Sequence, residues 1–117
     1  MTPDKAEPLS GAELLRISLE TYEIHLKFDN QNTLQLSSSF VVATSEGKEF
    51  EIEPSSHRGQ LSKLWDCIGA TVITVVWQDQ IELGFSNGSL LVVRETSGQR
   101  RGALVGPAAS GYGYDEF

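Results

Sequence analysis

Apolar and polar residues alternate along most of the chain, in runs of strand length. Leu15, Ile17 and Leu19 alternate with Arg16, Ser18 and Glu20, as in a half-buried strand. Tyr22, Ile24, Leu26 and Phe28 alternate with Glu23, His25, Lys27 and Asp29. Asp29-Asn30-Gln31-Asn32 reads as a turn. Leu34, Leu36 and Phe40-Val41-Val42 predict a third strand bent at Ser37-Ser38-Ser39, and Phe50 and Ile52 between Glu49, Glu51 and Glu53 predict a fourth. The period then changes. After Pro54-Ser55-Ser56, the apolar residues Leu61, Leu64, Trp65 and Ile68 recur at helical spacing and stop before Gly69. β-Branched residues resume from Thr71 to Trp77, and "IELGFSNGSLLVV" (81–93) predicts a hairpin around Asn87-Gly88.

The second hairpin resembles the first. Shifted by 57 positions, Ile24, Leu26, Phe28, Asn30, Leu34 and Leu36 fall on Ile81, Leu83, Phe85, Asn87, Leu91 and Val93, and Leu15 and Leu19 fall on Val72 and Val76. A lone meander cannot bury its apolar face, so two of them are expected to share one core. The expected fold class is α+β and mainly β: two pseudo-repeated antiparallel meanders with one short helix between them, β-β-β-β-α-β-β-β. Residues 1–12, with Pro3 and Pro8, are expected to form a flexible lead and 13–95 one β-rich domain. The Gly-rich stretch 96–117 is expected to be a largely disordered tail. Gln31, where the second copy has Gly88, predicts a looser first turn.

The segments "IHLKFDNQNTLQL" and "SKLWDCIGATVITVVWQDQIELGFSNGSLLVV" resemble a small bacterial domain family of unknown function. That family is built from two hydrophobic hairpin units ending in F-x-[DN]-G-x-x-L-x-[VI]. The resemblance covers about Leu14 to Arg94 and implies the fold. It brings no activity.

Charge narrows the function classes. A net charge of −7 argues against nucleic acid as a partner, since a phosphate backbone calls for a basic stripe. Arg100-Arg101 is too small to be one. The 117 residues contain one cysteine, Cys67, which excludes an internal disulfide and a cysteine-rich zinc site. No signal-peptide core or membrane-length apolar run is seen, so a cytoplasmic location and no membrane contact are expected. His25 and His57 read as solvent-facing, Cys67 as a structural thiol, and Trp65 and Trp77 as core. Neither catalytic residues, nor a metal site, nor a cofactor is expected.

Glu46, Glu49, Glu51 and Glu53 are the candidate partner-binding residues. The bland reading of this strand is a solvated edge guarded against aggregation; the sharper one is an acidic docking strip. The functional expectation is a non-catalytic protein-binding module, in its most specific form an immunity or antidote protein that neutralises a basic toxin. The alternatives are a self-associating accessory domain, which would make a homo-oligomer, and a small-ligand binder. The terminal aromatic and acidic residues 112–117 read as a free terminus.

Overall fold

A computed structural model describes residues 9–55, 58, 59, 61–94, 100–106 and 114–117. His57, Pro3 and Pro8 lie outside the described residues. Strands β1 (Leu14–Leu19), β2 (Ile24–Phe28), β3 (Thr33–Leu36), β4 (Phe40–Ala43), β5 (Glu49–Glu53) and a two-residue β6 (Arg58–Gly59) precede the helix α1 (Leu61–Trp65). Then come β7 (Val72–Trp77), β8 (Ile81–Phe85), β9 (Leu90–Val93), β10 (Gly102–Val105) and β11 (Tyr114–Glu116). The fold is mainly β, with two sheets, ordered β1-β2-β3-β10-β11 and β6-β5-β4-β9-β8-β7.

That order reveals an exchange. Each meander, β1–β3 or β7–β9, stays in one sheet, while the hairpin that follows it crosses to the other. Thus β4 pairs with β9, at Val42↔Leu91, and β10 pairs with β3, at Leu104↔Leu34. The duplicated unit therefore has five strands. It extends into the stretch whose composition predicts disorder. Glycine and alanine give β10 no apolar period of its own; β3 and β11 supply its hydrogen bonds, and Ala103 and Leu104 are fully buried.

The halves meet on a pseudo-two-fold axis. Glu13 bridges Thr71, its own counterpart. The hydrogen bonds that join the halves beside them come in twins: Gly11 N–H to Val72 O at 2.7 Å and Gly69 N–H to Leu14 O at 2.8 Å, then Val72 N–H to Ala12 O at 2.8 Å and Leu14 N–H to Ala70 O at 3.0 Å. Gly11 and Gly69 make these turns at φ 89° and 88°, a region closed to most side chains. Leu9 and Ala12, placed by the sequence in the flexible lead, are instead core residues.

Two expectations about register and core need correction. The first strands correspond at a shift of 58 rather than 57, because Glu20–Glu23 joins β1 to β2 with one more residue than Gln78–Gln80 joins β7 to β8. Leu14, not Leu15, is thus the partner of Val72. A β-bulge between Leu14 and Arg16, matched by one between Val72 and Thr74, turns Leu15 and Ile73 outward, 51% and 59% exposed. The helix is also shorter than its apolar period. It ends at Trp65, and the following turn brings Ala70 to its partner, leaving Trp65 and Ile68 at the surface. Leu64 alone of the helix is fully buried, inside the shared core with Phe40, Trp77 and Phe85.

The Gln31 turn keeps the geometry of its twin. Gln31 takes φ 70° where Gly88 takes 89°. Phe28 N–H to Asn32 O (2.9 Å) repeats Phe85 N–H to Ser89 O (2.8 Å), and the tip bond lengthens from 2.9 Å at Gly88 to 3.3 Å at Gln31.

Candidate functional site

Strand alternation sends one set of side chains to the core and the other to the outer face of each sheet. On the β4-β5-β7-β8-β9 sheet the outer rows read Glu51–Val41–Val92–Glu82–Val76 and Glu49–Ala43–Leu90–Gly84–Thr74. The corresponding rows on the other sheet read Ser18–His25–Gln35–Ala103–Glu116 and Arg16–Lys27–Thr33–Val105. One face is therefore an apolar band edged with carboxylates, and the other is polar and partly basic.

Glu49, Glu51 and Glu53 all stand exposed on β5, while Ile52 between them is fully buried. Glu46 is exposed in the turn before β5, which Thr44 N–H closes onto Lys48 O at 2.8 Å. The two-residue β6 pairs beyond only the end of the strand, at Ile52↔Gly59 and Glu53↔Arg58, and does not reach Glu49 to Glu51. Glu49 has Arg94 at 3.4 Å, but both side chains are more than half exposed, where an ion pair contributes little.

A second cluster, not foreseen from the sequence, lies on the outer face of the other sheet. Glu23 accepts from His25 Nε2 at 2.9 Å and from Arg100 at 3.1 Å, and Arg100 also meets Glu116 at 2.6 Å. His25 is thus engaged and only 17% exposed, rather than free in solvent. The His25 hydrogen bond and, after the opposing effect of burial, Arg100 hold the Glu23 carboxyl below its ordinary range. An open groove of about 510 Å³ runs past Glu20, Tyr22, Glu23, Ser55 and Arg100. Only the through-space meeting of β2 with the approach to β10 creates this cluster, so no local sequence signal marks it.

The neighbouring Arg101 is buried. Its guanidinium donates to the carbonyls of Asp79 and Arg94 and lies 5.8 Å from the centre of the Phe117 ring. Phe117 in turn meets Trp77 edge-on, with centroids 5.1 Å apart. The Arg100-Arg101 pair is thus a staple between strands.

Cys67 is fully buried, with its Sγ 3.7 Å from Lys63 O. Burial pushes the thiol pKa up, opposite to what a nucleophile needs. Among the described residues no group of three or more His, Cys, Asp or Glu is placed to hold a metal ion, and no helix is long and apolar enough to cross a membrane.

The model of one family of unknown function, DUF6188, matches residues 6–110. The chain belongs to that family. The match reaches from before Leu9 to beyond β10 and so takes in strands of both halves, while β11 lies past its end. No curated protein and no solved structure matches.

Proposed function

We propose that the chain is a non-catalytic protein-binding module that works through the outer face of the sheet containing β5. The observation that carries this reading is the pattern on that face. Glu49, Glu51 and Glu53 stand exposed along one margin, Val41, Val92, Ala43 and Leu90 form the centre, and Glu82 returns acid on the far side. An apolar centre with a charged rim is the usual anatomy of a protein interface. Acidic rims speed association with a basic partner. The partner is accordingly a basic polypeptide, and in the most specific form a basic toxin that this chain neutralises.

The test is recovery of the tagged protein from its source cells, followed by identification of what remains bound through a moderate salt wash. A stoichiometric basic polypeptide that is lost on joint Glu49→Lys, Glu51→Lys and Glu53→Lys substitution supports the reading. A partner retained by that variant moves the interface elsewhere, and no polypeptide partner overturns the reading.

A second reading, self-association, is favoured by β7. It is the end strand of its sheet, and Thr71 to Trp77 carries no charge to discourage pairing with a copy. Sedimentation that finds only monomer across a wide concentration range would exclude it.

A further inference from the structure

On the outer face of the polar sheet, Arg16 and Lys27 stand directly opposite each other across β1 and β2. Like charges at facing positions of an antiparallel pair destabilise it. With 16 acidic residues in the chain, a neutralising carboxylate would be easy to supply. Among the described residues neither cation has an ion pair or side-chain hydrogen bond. Both line a groove of about 360 Å³, whose wall includes Leu15, 51% exposed, and Phe28.

The other half shows the same place without a site. The counterparts of Arg16 and Lys27 are Thr74 and Gly84, again facing each other. The Thr74 hydroxyl fills the space that a side chain at Gly84 would need. One copy of the unit therefore closes this position with a small neutral pair, while the other keeps it open and doubly positive; both set an exposed aliphatic side chain beside it, Ile73 in the first case and Leu15 in the second.

We propose that this groove binds a small organic anion, a carboxylate or phosphate carried on an apolar body. Arg16 and Lys27 hold the anionic group, and the exposed Leu15 holds the apolar part. Arginine supplies a planar fork of donors and lysine a compact charge, so the pair accepts either oxyanion. A groove of this volume falls in the range of small-molecule sites. The inference is independent of the protein partner proposed above, which uses the opposite sheet.

The test is a titration of the whole chain followed by amide NMR, with phenyl phosphate, phenylacetate, inorganic phosphate and benzylamine as probes. Saturable shifts at Arg16, Lys27 and Leu15 are expected with the aromatic anions. Lys27→Gln and Arg16→Gln are each expected to weaken them about tenfold, or about 1.4 kcal/mol. Leu15→Ser is expected to weaken the aromatic anions and leave inorganic phosphate unchanged. Tighter phenyl phosphate identifies a phosphate ligand, and tighter phenylacetate a carboxylate; either supports the proposal. It is overturned if no anion gives saturable shifts at these residues, if benzylamine binds as well, if inorganic phosphate matches phenyl phosphate, or if the Gln variants bind like the wild type.

Discussion

Leu19 and Trp77 occupy the same point of the two halves, the last residue of the first strand, opposite Ile24 and Ile81 respectively. Leu19 is 41% exposed and Trp77 is 2% exposed. The difference begins in the exchanged hairpins. One half sets Phe40 opposite Ile52. At the matching position the other sets Gly102 beside Phe117, joined by Phe117 N–H to Gly102 O at 3.1 Å. The large ring has moved from the fourth strand to the end of the fifth, and there it meets Trp77. The backbone pairing keeps the symmetry while the side chains redistribute the volume, as cores permit when total packing is conserved.

The strongest way to break this comparison is to truncate both members of the first pair. Trp77→Ala is expected to cost about 3–5 kcal/mol in chemical denaturation, as a large buried side chain does. Leu19→Ala should cost less than about 1.5 kcal/mol, because much of its surface is already in water. Equal losses would mean that the halves bury these positions alike. Next in size is Gly102→Ala. A Cβ there would run into the Gln35 carbonyl oxygen and come within 2.8 Å of the Phe117 ring, so a loss of about 1–3 kcal/mol is expected.

The turns offer a pair of opposite sign. Gly88→Ala places a side chain at φ 89° and 2.6 Å from the Ser45 Cβ, and a loss of about 1–2 kcal/mol should follow. Gln31→Gly relieves the same backbone conformation in the other half. It is expected to raise the melting temperature slightly, by a gain of up to about 1 kcal/mol.

The smallest effect concerns pH. Glu23–His25 and Gln80–Glu82 are equivalent pairs, each joined at 2.9 Å. Only the first couples a carboxylate to a titratable donor. Because the folded Glu23 carboxyl is held below its ordinary range by the His25 hydrogen bond and by Arg100, its contribution to stability is present above the ordinary carboxylate range and is lost as pH falls through the lowered folded value. His25→Ala should bring the Glu23 titration, followed by carboxyl-carbon NMR, back up toward the ordinary carboxylate range, with Arg100→Ala doing less.

Much of each half was legible in the sequence because alternation is local. Strands β1, β2, β5 and β7 to β9 lie where that period places them, whereas the single bent third strand it predicts is in fact two, β3 and β4, which part at Ser37-Ser38-Ser39 into different sheets. The exchange was not legible, since it rests on pairs such as Leu34↔Leu104, which no period connects. The Gly-rich β10 reads as disorder because its order comes from its neighbours. Gly11-Ala12 and Gly69-Ala70 did carry a usable signal. The same dipeptide recurs at a spacing of 58 and marks the axis. The candidate acidic strip was legible, since alternation alone puts Glu49, Glu51 and Glu53 on one face. Its apolar neighbours Val92 and Leu90 were not, because β9 reaches β4 only through the exchange. The paired cations Arg16 and Lys27 each fall on the polar side of the alternation, but the register that sets them face to face depends on the length of the Glu20–Glu23 connection, which alternation does not state.

The exchange also sets how the chain must acquire its structure. Neither sheet is complete until the second half has been made: β3 waits for β10 about seventy residues downstream, and β4 waits for β9. Native contacts of such long sequence separation make for slow, all-or-none folding. Until then β3 and β4 present unpaired edges with Leu34, Leu36, Phe40 and Val42 uncovered, which is when a nascent chain is most open to aggregation. A half-length fragment would carry the same open edges, and its simplest way to close them is to exchange hairpins with a second fragment.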